Sequence, residues 1–257
     1  MPAKTVAILG ATSALGQAVA RELLLANGAS ASGEGAAGPS MHVYLVARNE
    51  LRMNEVAEDL KARGAEVSCI VCDLDDIAGH ADLLHSLKDV EDYWFFYGSL
   101  PDQEQMQASW EATELAMRTN LLSPMSLLTG VANTLEEAER GSLVVVSSVA
   151  GDRGRQSNYV YGTAKGALSL FCQGLRNRLA AKSIPVMTVK PGFIDTPMTA
   201  DIEKKPAVLW VGPERVAKDM VRAHARGRNV LYTPWFWQFI MLIIKSVPER
   251  VFKRLSL

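Results

Sequence analysis

Along almost the whole chain, short apolar runs alternate with stretches long enough to form a crossover helix, and this rhythm is the strongest constraint on the fold. The runs fall at residues 5–9, 42–46, 66–71, 92–96, 142–146, 185–190 and 229–232, with helical patterns at 17–26, 51–63, 110–122, 159–182 and 213–224. Strands joined through helices lie parallel, because the helix carries the chain back to its starting edge. Most of the runs are apolar at nearly every position rather than at every second one, so helices cover both sheet faces. The expected architecture is a single doubly wound α/β domain over residues 1–232, with a seven-stranded, mostly parallel sheet. No Pro- or Ser-rich linker and no repeat divides it. Residues 27–40, NGASASGEGAAGPS, are too rich in Gly, Ala and Ser to bury much, which predicts a flexible loop inserted between the first helix and the second strand.

Charge and cysteine usage remove other readings. Lys plus Arg number 27 against 28 Asp plus Glu, a formal net charge of -1, and no stripe of cations marks a nucleic-acid partner. Cys69, Cys72 and Cys172 cannot build a disulfide framework, and the opening MPAKTVAILG lacks the apolar run of a secretory signal, so a cytoplasmic location is expected. Cys69 and Cys72 lie three apart on a strand, where side chains face opposite ways; they read as packing residues, and no metal site is expected.

The most apolar stretch is 234–257, PWFWQFIMLIIKSVPERVFKRLSL. The 13 residues between Pro234 and Pro248 give about 20 Å of helix against a hydrocarbon layer of about 30 Å, too short to span. Segment 233–257 is therefore expected either to pack on the domain, on a partner subunit or over a substrate pocket, or to lie on the inner face of a membrane. Trp235 and Trp237 suit the headgroup level, and Lys245, Arg250, Lys253 and Arg254 are basic anchors.

The first strand runs straight into GATSALG. Gly10 and Gly16 flank a turn that opens a helix near Leu15, and a helix N-terminus behind a glycine turn suits a pyrophosphate. This is a Rossmann-type cofactor site, with Thr12, Ser13 and Leu15 in the turn beside the ligand; glycine also serves tight turns for purely structural reasons. Strand two ends at Arg48, whose guanidinium favours a 2'-phosphate, hence NADP(H) over NAD(H), with a solvated loop arginine as the plain alternative. Asp73, followed by Leu74, can accept from an adenine amino group or cap the next helix.

Tyr161 and Lys165 stand four apart in a helical segment, on one face. Phenols are weak acids at neutral pH, and a cation one turn away favours the phenolate, which makes proton transfer to a developing alkoxide feasible. Ser148, at the end of the fifth strand, can donate to the same carbonyl oxygen.

With Asn120 in MRTNLLS, the Gly10 to Gly16 turn, Asp73, Ser148, Tyr161-x-x-x-Lys165 and Pro191-Gly192-x-x-x-Thr196, the chain resembles a short-chain dehydrogenase/reductase over nearly its whole length. The resemblance implies Tyr161 as acid/base, Lys165 lowering its pKa and holding the nicotinamide ribose, Ser148 polarising the carbonyl and Asn120 holding a water linked to Lys165. It places Tyr97, Gly98, Pro191, Gly192, Ile194 and Thr196 around the cofactor and implies a homo-oligomer. Ala14 stands where the family commonly has a third glycine, and Phe96-Tyr97-Gly98 replaces Asn-Ala-Gly. Within the family, AGDRGRQSNYVYGTAK and the tail are most similar to the decaprenylphosphoryl-2-keto-ribose reductase branch, which implies a lipid-linked keto-sugar substrate. Arg153 and Arg155 are candidates for a substrate phosphate. Another hydrophobic alcohol or ketone, and a non-catalytic nucleotide-binding module, stand as the alternatives.

Overall fold

The computed structural model describes residues 4–30, 41–200, 202 and 206–255. Residues 31–40 of the expected loop lie outside that range. The seven apolar runs form the strands of one sheet: β1 (Lys4–Leu9), β2 (Met41–Ala47), β3 (Glu66–Val71), β4 (Asp92–Phe95), β5 (Ser142–Val146), β6 (Val186–Pro191) and, after a small pair β7 (Phe193–Ile194) and β8 (Trp210–Val211), β9 (Val230–Thr233). Their order is β3-β2-β1-β4-β5-β6-β9, parallel throughout. The order reverses between β1 and β4, which opens a crevice at the carboxyl ends of the strands, where ligands bind in such sheets.

The helices are α1 (Ala14–Ser30), α2 (Glu50–Ala62), α3 (His80–Ser86), α4 (Gln103–Ala108), α5 (Trp110–Met117), α6 (Ser123–Ala138), α7 (Tyr159–Leu179), α8 (Pro213–Ala225), α9 (Trp237–Ser246) and α10 (Glu249–Phe252). Period-two alternation within each strand feeds two cores. Val6, Ile8, Leu45, Trp94 and Val144 meet Val19, Met53 and Met220 of α1, α2 and α8. Ala7, Leu9, Tyr93, Phe95 and Val145 meet Leu127 and Leu168 of α6 and α7. Each large side chain fully buried this way contributes about 1.5–3 kcal/mol.

Several elements depart from the sequence reading. α1 continues through Ser30, so residues 27–30 are helical rather than loop; adding turns to a formed helix costs far less than nucleating one, even through Gly28. α6 falls outside the helical patterns read from the sequence. A Cβ at Gly130 would stand 2.2 Å from Leu84 Cδ1, so glycine there leaves room for α3 against α6. Cys69 is exposed on β3 rather than packed, since β3 is the sheet's edge; Cys72 is half-buried and Cys172 buried.

The tail packs on the domain. Trp237 and Met241 of α9 are 3% and 1% exposed and join Val149 in a third apolar cluster, with Phe193, Leu209 and Tyr232 around it. Its outer face, Trp235, Phe239, Leu242 and Ile243, is exposed. Among the described residues no helix is long and apolar enough to cross a membrane.

Candidate active site

The chain leaves β1 through Gly10, whose φ is +86°, a left-handed value that favours glycine; a Cβ there would also stand 2.7 Å from the Tyr97 backbone nitrogen. The Gly10 and Ala11 N–H groups donate to the Val46 carbonyl, fixing the turn against β2. Ser13 Oγ accepts the Gly16 N–H at 3.0 Å at the start of α1, and a Cβ on Gly16 would crowd that oxygen at 2.8 Å. Thr12, Ser13, Ala14 and Leu15 then line one end of a cavity of about 530 Å³. There the N-terminal end of the α1 dipole favours an anion.

The same cavity is walled by Gly98, Asn120, Ser148, Tyr161, Lys165, Pro191, Gly192, Ile194 and Thr196. Asn120 is fully buried in a π-helical turn, Arg118–Leu122, between α5 and α6. Its Nδ2 donates to the Ala116 carbonyl at 2.9 Å and its Oδ1 accepts the Ser99 N–H at 3.2 Å. A Cβ on Gly98 would lie 2.9 Å from Asn120 Oδ1 and 3.3 Å from Lys165 Nζ, so the missing side chain lets amide and ammonium share one space. The loop after β5 presses on α7 through Gly151, where a Cβ would stand 2.5 Å from the Gly166 nitrogen. That contact brings Ser148 to Tyr161. Ser148 Oγ accepts the Ala150 N–H at 3.1 Å and pairs with the Tyr161 hydroxyl. Lys165 Nζ donates to the Val146 carbonyl at 3.2 Å and lies 5.8 Å from the Tyr161 ring centroid.

Burial governs the electrostatics. It pushes the Tyr161 phenol up to about 12, with the Ser148 hydrogen bond pulling weakly the other way. It draws the Lys165 ammonium down to about 8. Lys165 adds no lowering of Tyr161 in this arrangement, because the ammonium is directed to the Val146 carbonyl rather than to the phenol oxygen.

A family model described as short chain dehydrogenase matches residues 4–207. The chain is also 35% identical to an uncharacterised oxidoreductase of Mycobacterium tuberculosis over 98% of its own length and 97% of that protein's. The chain belongs to the short-chain dehydrogenase family. A 3-oxoacyl-[acyl-carrier-protein] reductase of Bos taurus is 29% identical over 79% of this chain and 80% of its own. In fold, the chain is similar to a short-chain dehydrogenase of Burkholderia cenocepacia solved in complex with NADP, with a TM-score of 0.80 at 20% identity, over 99% of this chain and 98% of that one.

As a short-chain dehydrogenase, the chain accommodates both departures from the family pattern. Ala14 is the first residue of α1, outside the left-handed region, and needs no glycine. Tyr97 supplies a tie of its own: its hydroxyl meets Ser123 Oγ at 2.8 Å, and Ser123 donates in turn to the Leu74 carbonyl, which also accepts His80 Nε2 at 2.9 Å. Leu74 is thereby a buried joint rather than a cavity residue. Asp73 is exposed, outside the cavity wall, and its carboxylate accepts the Asp75 N–H at 3.1 Å; the next helical turn, Ile77–Gly79, is capped by Asp76 rather than by Asp73.

Arg48 is exposed at the end of β2 and does not line the cavity. Arg52, one turn into α2, does, with Nη2 3.5 Å from the Thr12 carbonyl; Arg21 beside it is paired to Asp59 at 2.7 Å. The sequence reading missed Arg52, and its four-residue spacing from Arg48 gives no signal, because Arg48 precedes the helix that carries Arg52.

Gly192 donates its N–H to the Thr233 carbonyl at 3.1 Å, and a Cβ on it would fall 1.8 Å from Trp237 Nε1, so this glycine admits the tail against the site. The Thr196 N–H donates to Thr199 Oγ1 at 3.2 Å. Arg153 does not face a substrate. Its Nη1 donates to the Ile244 and Val247 carbonyls at 2.5 and 2.6 Å, its Nη2 pairs with Glu249 at 3.0 Å, and its guanidinium covers the Phe252 ring at 3.7 Å. It ends α9, where carbonyls lack helical partners. Arg155 lines the cavity.

Proposed function

We propose that the chain is an NADPH-dependent reductase of a ketone. The observation that carries this reading is the joint placement of Ser148, Tyr161 and Lys165 in the cavity that begins at the Gly10 to Gly16 turn. The Gly10 turn, the Ala14 end of α1 and Gly98 fit a dinucleotide, since each leaves room or amides where a pyrophosphate or ribose needs them. The Burkholderia structure, solved with NADP, supports the same cofactor. Bound NADPH supplies the hydride.

The protein's part is to polarise and to protonate. Ser148 and the Tyr161 hydroxyl together offer hydrogen bonds to the ketone oxygen. Because the phenol is held near 12, it stays protonated through the neutral range and is ready to give its proton to the developing alkoxide, the direction of reduction. Lys165 and Asn120, side by side over Gly98, form the route by which a proton returns to the phenolate left behind. Purified protein given NADPH and a panel of ketones is expected to consume NADPH; no consumption with any ketone rejects the reading.

Cofactor preference has its own measurement. Removal of the guanidinium in Arg48→Ala and Arg52→Ala is expected to weaken NADPH about tenfold more than NADH, the worth of one charge-assisted contact to the 2'-phosphate. Equal losses for both cofactors in both variants would withdraw the phosphate role.

A finer reading, that the substrate is lipid-linked like that of the polyprenylphosphoryl keto-sugar branch and is met at a membrane, is favoured by the exposed face of α9. Trp235, Phe239, Leu242 and Ile243 stay exposed beside the basic residues of the tail. Deleting the tail would uncover the site behind Trp237, so the suitable variant is the surface triple Trp235→Ser, Phe239→Ser, Ile243→Ser. Wild type is expected to float with phosphatidylglycerol vesicles and the triple variant to remain in solution; wild type that does not float removes the membrane contact. Exposed Trp110, Leu115 and Leu170 on α5 and α7 support a homo-oligomer.

A further inference from the structure

Two residues beyond Arg153, whose guanidinium is fully engaged, Arg155 is left without a counter-ion. It lines the cavity that holds Ser148 and Tyr161. Its Nε is buried with no hydrogen-bond partner, and its Nη2 has only the Met241 thioether at 3.6 Å. Among the described residues no carboxylate ion-pairs with it: Asp152, the acid whose field it feels, is taken by Lys190 at 2.5 Å and by the Tyr232 hydroxyl at 2.7 Å. Burial lowers the guanidinium's pKa, yet an arginine keeps its charge. A half-buried cation without a counter-ion bears part of the desolvation cost, and that cost is offset when a ligand brings the anion. Asn158, on the same wall, has its Oδ1 buried and unpaired as well. Leu100, Val149, Phe193, Met198 and Ile202 contribute apolar surface to the lining of the same cavity.

We infer that the substrate of this cavity carries an oxyanion, a carboxylate or a phosphate, held by Arg155 at one end of an apolar body. The inference rests on the reductase reading for the ketone and on the cavity's own residues for the oxyanion. The guanidinium fork matches either group in two parallel hydrogen bonds. Arg155 is then a specificity-determining residue, set apart from the proton-transfer machinery of Tyr161.

The test pairs ketones that differ only in charge: 2-octanone, 7-oxooctanoate and a keto-alkyl phosphate of the same length. Wild type is expected to show a kcat/KM at least tenfold higher for one or both charged members, the larger value telling carboxylate from phosphate. In Arg155→Met the ratio of charged to neutral kcat/KM is expected to drop about tenfold to a hundredfold, with partial recovery in Arg155→Lys. No charge preference in wild type, or equal losses for charged and neutral ketones in Arg155→Met, overturns the assignment. Binding decides the matter independently of turnover and of the variant's folding. Hexanoate or hexyl phosphate should raise the Tm of wild type in the presence of NADP+ more than 1-hexanol does, and equal shifts overturn it. If no ketone is reduced while that binding preference holds, the reductase reading fails and the oxyanion site stands.

Discussion

Replacing Tyr161 by phenylalanine is expected to lower kcat for ketone reduction by about 10²–10⁴-fold, the usual contribution of a positioned general acid. The ring still fills its place at the start of α7, and Ser148 Oγ keeps the Ala150 N–H. Fluorescence titration should therefore give an NADPH Kd close to wild type. The pH profile adds a second constraint. Since burial holds the phenol near 12, wild-type kcat for reduction should show no loss from tyrosine ionisation between pH 6 and 9. Turnover that survives in Tyr161→Phe would mean that another group delivers the proton, and the proposed mechanism would fall.

The second large effect concerns Lys165 and has opposite signs for activity and stability. Lys165→Met is expected to reduce kcat by at least a hundredfold, because the site loses the ammonium that returns a proton to the phenolate. The same substitution should make the fold more stable at pH 7. The ammonium has a pKa near 10.5 in the unfolded chain and about 8 in the native one. Between these values the unfolded chain binds more protons, so wild-type stability rises with pH from 8 to 10.5, and below pH 8 the full cost of burying the charge is felt. At 1.36 kcal/mol per pH unit that cost is about 3 kcal/mol; losing the hydrogen bond to the Val146 carbonyl takes back about 1 kcal/mol. Urea denaturation at pH 7 should give the variant about 2 kcal/mol over wild type, shrinking towards pH 10. A variant less stable than wild type at pH 7 would show that the ammonium is not penalised by its surroundings.

What was legible in the sequence was whatever depends on local periodicity. The strands of the parallel sheet were readable from their unbroken apolar runs, and the Tyr161 and Lys165 pair from a four-residue spacing that any helix puts on one face. What required tertiary structure was hidden. The reason for a glycine at Gly130 of α6 lies in Leu84 of another helix. Arg153 resembled a substrate ligand because it follows Ser148 closely, yet its partners are 91 and 94 residues away in the tail. Arg52 was missed because the end of β2 drew attention to Arg48, whereas the wall of the cavity is set by the first turn of α2. The electrostatics of Tyr161 were misjudged for the same reason: spacing reveals a neighbouring charge, but only packing reveals how much water has been lost.

The bond from Arg153 to the carbonyls at the end of α9 ties the loop following Ser148 to a segment that takes no part in proton transfer. The wall that carries Arg155 is thus braced from outside by a segment none of whose described residues lines the cavity, so damage to the tail would reach the site through the loop rather than by direct contact with a ligand.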